Sequence, residues 1–539
     1  MTNKHHRISD SDPQISTPGL NEAPLLIDRR KFFGGAAALT VGGLGATTAV
    51  AQPNGAETAD AAGALELQTR RAQRWAGRGP TNWVRPRSGV DHDVVIVGGG
   101  QSGITIAYGL KRKGVTQVEV IEQAEPGQTG IWRTIARMDQ LRTGKTLIGL
   151  EGDNPTLGFR AWFETLNGPD AFDALDRIPR PAWADYLDWF QQVTDTTVRY
   201  GTQLIEIEPD GDLLRLHLES EGARRVESTR KLVLANGYAG AGGANLPGFM
   251  QTLPKDFWSH TSEQIDFDAL AGRVVGVVGA ASSAFDAAAV ALEAGATEVH
   301  MFNRRAYVGY PGGSPDSGPS DRGHANAREM AYELPDVVRW RNFLRGERSV
   351  STVPTDSIAR AMAFDNFRLH LETSLEDVRA DGGQVAASVN GETQRLDYLI
   401  AGTGYRIDLA AQPELAGIQA SIARWADRYE PESGEDNAGA AIHPYLGAGF
   451  EFLPRDGVDA AYLRNIHSFN LSARLSFGML IGDVPSCIYH PRIISAIARD
   501  LYVASVDTAA HRRWVESPES AADPAPYERA IVSRPSEAA

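Results

Sequence analysis

The sequence predicts an α/β fold with two Rossmann-like dinucleotide-binding domains, the second inserted in the first. Three observations predict it. The apolar run 93–97 ends in a turn with Gly98, Gly100 and Gly103, and a second apolar run, 118–121, ends in Glu122. A degenerate copy starts at Val274 and passes through Gly279, Ala280, Ala281, Ser282, Ser283 and Ala284 to an apolar run at 299–302. Each copy is followed by a strand, turn, strand segment, 198–238 and 367–405, closing on an apolar strand whose small residues let the backbone run close to a nucleotide.

In chain order, residues 1–51 stand apart. Arg29 and Arg30 precede Lys31, Phe32 and Phe33 and a weakly apolar stretch rich in Gly and Ala that ends Ala49, Val50, Ala51. That is the layout of a twin-arginine signal cleaved after Ala51, which predicts the twin-arginine export machinery as a partner and a periplasmic or secreted product. A flexible extension with a chance arginine pair would leave the protein cytoplasmic. The stretch is too short and glycine-rich for a stable membrane span. Residues 52–90, rich in Ala, Gly and Pro, read as a linker with one short helix.

Residues 91–245 read as the first part of a nucleotide domain. Gly98 permits the tight turn, Gly100 lets backbone amides approach a pyrophosphate, and Gly103 brings helix close to sheet. Amides at the helix N-terminus then hold the phosphates. Glu122 is spaced to accept hydrogen bonds from ribose hydroxyls, which favours FAD or NAD over a 2′-phosphorylated nucleotide.

Residues 246–397 read as the inserted domain. Counted from Gly279, the position equivalent to Glu122 is Asn303, followed by Arg304 and Arg305. A neutral side chain removes the charge that would repel a 2′-phosphate, and two guanidinium groups can pair with one. Gly279, Ser282, Arg304 and Arg305 therefore form a candidate NADPH site. Ala and Ser in place of the later glycines crowd the phosphate turn and leave open a site that has lost its nucleotide. The stretch 309–323, rich in Gly, Pro and Ser, reads as a loop, either at the substrate mouth or inert. Residues 398–505 return to the first domain, and 506–539 form a tail.

Composition narrows the chemistry. The chain has 539 residues, 42% hydrophobic, enough to bury two or more cores. A net charge of -15 argues against nucleic acid or an anionic membrane as a partner. Cys487 is the single cysteine, so no intrachain disulfide or CxxC pair exists, which removes the dithiol reductases built on the same two-domain plan. The histidines show no HxxxH or HxH pattern, and no bound metal is expected. Trp183, Tyr186, Trp189 and Phe190 fall at helical spacing and read as core.

With both turns and both closing strands, residues 91–505 resemble the single-component flavin monooxygenases with two dinucleotide domains. Gly130, Ile131, Trp132 and Arg133 resemble the G-x-W element beside the flavin, and Trp258, Ser259, His260 and Thr261 are similar to the loop linking the domains. The FxGxxxH spacing of the Baeyer-Villiger group is absent, which argues against ketone insertion. The runs 138–145 and 159–163 are similar to a bacterial branch that includes FAD-dependent urate hydroxylases. The resemblance implies non-covalent FAD, with Trp132 and Arg133 beside the ring and Asp483, after Gly482, on the ribityl chain unless it is a turn residue. It also implies Arg142 and Lys145 as catalytic cations stabilising reduced flavin and a flavin peroxide; either is alternatively a surface cation. His260 reads as a packing residue at a hinge. The implied activity is NAD(P)H-consuming hydroxylation of a small, nitrogen-containing organic substrate by dioxygen through a flavin hydroperoxide. One alternative is an exported FAD-dependent oxidase or dehydrogenase that takes electrons from its substrate without NADPH. Another is a non-catalytic flavin-binding protein.

Overall fold

The computed structural model describes residues 55–77, 80–146, 149–152, 154–309, 329–349, 352–517 and 523–532. The expected export signal with Arg29 and Arg30 lies outside the described residues, as does most of the stretch 309–323.

The chain enters through α1 (Gly55–Trp75), which lies on an aromatic core through Leu65 and donates a hydrogen bond from Thr69 Oγ1 to Thr156 O at 3.3 Å. This corrects the expected linker with one short helix. Between Gly63 and Gly77 no Gly or Pro interrupts a run rich in Ala, Leu, Gln and Arg, so 21 residues stay helical. Trp83 then seats against the end of the next helix, donating from Nε1 to Lys113 O at 2.7 Å.

β1 (His92–Val97) is β-branched and buried along its centre, which suits the middle of a parallel sheet. It leads through the glycine turn into α2 (Gln101–Arg112) and then β2 (Val118–Ile121), parallel to β1 with Val94 opposite Val118. An aromatic-rich excursion follows: α3 (Phe159–Asn167), α4 (Ala171–Ala174) and α5 (Arg180–Val193). Trp183, Tyr186 and Phe190 are buried there and Trp189 is half-buried, as their spacing predicts. β3 (Thr202–Asp210), β4 (Leu213–Ser220) and β5 (Ala223–Leu234) form an antiparallel meander, and the far half of β5 slots in beside β1.

The inserted sheet has all strands parallel. It comprises β6 (Trp258–His260), β7 (Val274–Val278), β8 (Glu298–Phe302), β9 (Phe367–His370) and β13 (Tyr398–Ala401), in the order β6, β13, β7, β8, β9. α6 (Ser282–Glu293) joins β7 to β8; α7 (Asp336–Arg348) and α8 (Thr355–Met362) precede β9. β10 (Glu376–Asp381), β11 (Gln384–Val389) and β12 (Glu392–Leu396) form a sheet of their own before β13 (Tyr398–Ala401) closes the parallel one. The two copies therefore differ. β5 runs unbroken from meander into parallel sheet, whereas Asp397 breaks the second copy: its amide donates to Val274 O at 2.8 Å and its carboxylate accepts from Val274 N and Gln384 Nε2.

β14 (Ile466–Ser468) then returns to the first sheet, pairing in parallel with β5. The first nucleotide domain is thus interrupted by the second. α9 (His490–Ser505) covers the returned strand's domain and packs on α2, where a Cβ on Gly109 would stand 2.2 Å from Ile494 Cδ1.

Candidate active site

At the first turn the three glycines answer different demands. Gly98 has φ 108°, and a Cβ there would stand 2.4 Å from Ala235 O on the closing strand. A Cβ on Gly103 would lie 1.9 Å from Gly98 O. Gly100 is extended, at φ -74°, and a Cβ there would meet nothing within 4 Å, so open space lies directly before α2. No side chain caps α2, which leaves its first amides to a ligand. Glu122, 9% exposed, accepts from Gly99 N and Ala124 N, each at 2.9 Å, and is held in place. Open space, uncapped amides and a held acid fit an adenosine diphosphate.

The second turn repeats the first at its opening glycine and at the residue before the helix. Gly279 has φ 105° and donates to Phe302 O at 2.9 Å, as Gly98 donates to Ile121 O at 2.8 Å. Ala281, equivalent to Gly100, is extended at φ -90° and ψ 177°, a conformation any residue adopts. Ala284, equivalent to Gly103, faces Gly402, where an added Cβ would stand 2.4 Å from that of Ala284, so residue 402 has to be glycine. The second helix start differs from the first in one bond, Ala284 N donating to Ala281 O at 3.0 Å. α6 carries no side-chain cap, and Ser282 Oγ donates away from it, to Thr352 O at 3.1 Å.

Asn303 folds its amide into its own loop, donating to Arg305 O and Tyr307 O, both at 3.1 Å. Arg304 and Arg305 are exposed. Arg305 donates to Arg348 O at 3.2 Å and Glu347 O at 3.4 Å, satisfying the negative end of α7. Arg304 has no such anchor among the described residues.

Between the units, the two closing strands end alike in Gly237, Tyr238 and Gly404, Tyr405. Their rings meet edge to face at 5.5 Å, and His260 stands edge-on to Tyr405 at 5.8 Å. Burial raises both phenols, Tyr238 well above its ordinary value, so both stay protonated at neutral pH. Asp483 caps the turn Val484–Tyr489, accepting from Ser486 N at 3.2 Å. The adjoining Gly482 O accepts from Gln101 Nε2, at the head of α2, at 3.3 Å, which brings Asp483 to the first turn. From residues 130–145, Arg142 pairs with Asp286 on α6. Arg137 donates to Thr261 O at 2.8 Å and Glu263 O at 2.6 Å, and burial pulls its guanidinium down to about 10.

Of the other predicted residues, Lys145 and Arg133 are held away from this junction. Lys145 Nζ donates to Phe172 O, Asp173 O and Leu175 O at the end of α4. Arg133 bridges Asp185 and Asp188 on the outer side of α5, at 2.9 and 2.5 Å. Trp132 packs edge-on against Trp183 at 6.4 Å, and Trp183 Nε1 in turn donates to Gln101 Oε1. His260 is fully buried, its Nδ1 accepting from Ser262 N at 3.0 Å, as suits a packing residue. Sequence pattern does not single out Tyr238, Tyr405, Arg137 or Asp286 as site residues. The repeated Gly-Tyr ending was the available signal for the tyrosines; the other two had none. Among the described residues no group of three His, Cys, Asp or Glu side chains is placed to hold a metal ion, and no described helix is long and apolar enough to cross a membrane.

Two dinucleotide turns of one design, with a lone buried thiol, define an oxidoreductase of the two-dinucleotide-domain class that lacks a dithiol. A family model described as pyridine nucleotide-disulphide oxidoreductase matches residues 95–315. The FAD-dependent urate hydroxylase of Xanthomonas campestris pv. campestris is 39% identical over 429 residues, 78% of this chain and 89% of that protein. The chain belongs to the family of flavin-dependent hydroxylases that this relative represents. Among solved structures, an ornithine hydroxylase from Pseudomonas aeruginosa matches with a TM-score of 0.58 and 18% identity, over 76% of this chain and 99% of that one. An L-lysine 6-monooxygenase from Pseudomonas syringae matches with a TM-score of 0.58 and 19% identity, over 77% and 100%. At these identities the two structures share the fold.

Proposed function

We propose that the protein is an FAD-dependent monooxygenase that consumes NADPH to hydroxylate a small nitrogen-containing substrate, an oxidised purine such as urate or an amine. The observation that carries the reading is the contrast between the two turns. They share the opening dihedrals and an uncapped helix, yet the ribose position holds a fixed acid in one and a neutral amide beside Arg304 in the other. FAD at the first turn and NADPH at the second satisfy both. The name of the 39% identical relative points to urate within this class.

When bound, FAD accepts hydride from NADPH and passes the electrons to dioxygen, one atom of which goes to the substrate. The chain's own residues orient and enclose. Amides at the heads of α2 and α6 would hold pyrophosphates, Glu122 the adenosine ribose and Asp483 the ribityl chain. Trp132 would wall the flavin. Tyr238 and Tyr405, neutral and half-buried, would keep water from the junction. The lone thiol of Cys487 is 3% exposed and takes no part.

That the second turn keeps the opening dihedrals and an uncapped helix weakens the motive for the rival oxidase, which needs no NADPH. Export of the folded flavoprotein through Arg29 and Arg30 remains part of the proposal, as do domain limits near residues 91, 246, 398 and 506; retention in the cytoplasm of an Arg29→Lys, Arg30→Lys variant is the expected result. The deciding experiment is anaerobic addition of NADPH to purified protein, followed by turnover under labelled dioxygen with urate, amines and amino acids. Flavin bleaching and one labelled oxygen atom in the product are expected. A dehydrogenated substrate with hydrogen peroxide as the only oxygen product would transfer the assignment to the oxidase.

A further inference from the structure

Asp286 is 1% exposed on the second turn of α6. An ionised carboxylate at that depth needs partners in place of lost water. It has two, from different directions: Ser357 Oγ on α8 donates at 2.6 Å, and the Arg142 guanidinium reaches across from the first unit. The equivalent residue of α2 is Thr105, whose hydroxyl donates to Gln101 O of its own helix at 2.7 Å. The same turn and helix are thus built once with a neutral, self-satisfied side chain. A buried charge at 286 is therefore not demanded by the nucleotide fold.

The counter-ion stands at the seam. The Arg142 side chain is 34% exposed against 2% for that of Asp286, so one edge of the guanidinium is locked while the other stays open, within electrostatic reach of Tyr238. Two more arginines staple the same segment to the inserted unit. Arg137 uses main-chain carbonyls, and Arg360 on α8 donates to Arg137 O at 2.9 Å and pairs with Glu293 and Asp139. Of these three, Arg142 alone meets a buried acid on the nucleotide helix.

We infer that Asp286 is a positioning residue, which fixes Arg142 across the seam so that α6 and residues 130–145 present their ligands to each other in one geometry. The inference rests on the reading that the first unit takes FAD and the second NADPH. Without the carboxylate the guanidinium swings, and a misplacement on the order of 1 Å costs about a hundredfold in rate.

The test uses holoenzyme carrying Asp286→Asn, which keeps the shape and an acceptor for Ser357. FAD content and melting temperature should match the parent, and the NADP+ dissociation constant, read from the flavin difference spectrum, should stay within about threefold. The shape of that difference spectrum should change, and the limiting rate of anaerobic reduction should fall roughly tenfold to a hundredfold. An Asp286→Asn, Arg142→Gln double variant should be no slower than the slower single one, because both act through one contact. Reduction of Asp286→Asn at the parent's rate, or losses that multiply in the double variant, overturns the inference. If Asp286→Asn emerges without FAD, Arg142→Gln decides alone: parent-rate reduction overturns the inference. A parent that binds NADP+ but is not reduced by NADPH sinks the underlying reading instead.

Discussion

Gly100 and Gly103 belong to one turn and are glycines for different reasons. A side chain at 103 collides with the backbone at Gly98 O, which cannot yield, whereas at 100 it points into open space and meets a conformation any residue can adopt. The expected outcomes therefore separate. Gly100→Leu should fold, with a parent-like circular dichroism spectrum, and purify colourless because the side chain fills the pyrophosphate position; Gly103→Leu should fail to fold. A yellow Gly100→Leu variant with full flavin would remove the first turn from the cofactor site. Cys487 makes a second residue-scale case. Burial pushes its thiol far above the ordinary cysteine range, so the thiolate that reacts is scarce at any working pH. Native protein should resist thiol-specific reagents at pH 8 and titrate one equivalent once denatured.

At the scale of elements, what was legible depended on how local the cause is. The strand, turn and helix around Gly98 and Gly279, and the buried stripe of α5, are set by neighbours in sequence and could be read from it. The contact of Ala284 with Gly402 is not local, because residue 402 follows another strand. The split of the second meander from β13 turns on Asp397 meeting Val274 and Gln384, and the Arg142 and Asp286 pair joins residues 144 apart in the chain. Tertiary contacts of this kind leave no local signature. The same logic divides Arg304 from Arg305, which in sequence look interchangeable. Arg305 is engaged at the end of α7, so Arg305→Ala should lower the melting temperature by loosening that helix end. Arg304→Ala should leave stability alone and reduce the preference for NADPH over NADH roughly tenfold to a hundredfold, the worth of about 1.5–3 kcal/mol for a guanidinium to phosphate bond. Dissociation constants of the two nucleotides for each variant check this; a larger loss of preference in Arg305→Ala than in Arg304→Ala would reverse the assignment.

The whole molecule carries its acid sensitivity in the returning part of the first domain. His443, His467 and His490 are buried there, and burial pulls them to about 4, about 3 and about 3. His443 and His467 each engage one carbonyl, of Gly439 and Gly449, while His490 has no partner on either ring nitrogen among the described residues and lies against Phe469. The sign follows from proton uptake. Above pH 6.5 the histidines are neutral folded or unfolded and pH has no leverage; below it the unfolded chain takes up protons that the folded one refuses, so stability falls with pH until the folded values are reached. At pH 5 each costs roughly 2 kcal/mol, a large share of the total stability of a domain. Carboxylates held low by their partners, such as Glu227 beside Arg199, act in the same direction but only below the ordinary carboxylate range; His260 and His370, also held low by burial, add to the fall, and Glu414 and Asp93, held high by burial, oppose it. Urea midpoints should therefore be level from pH 8 to 7 and fall steeply from 6.5 to 5. His490→Leu, which removes an unpartnered imidazole from an apolar site, should make that slope shallower and raise the midpoint at pH 5. A midpoint that stays level down to pH 5, or a His490→Leu profile parallel to the parent's, would mean that these rings take up protons in the folded protein.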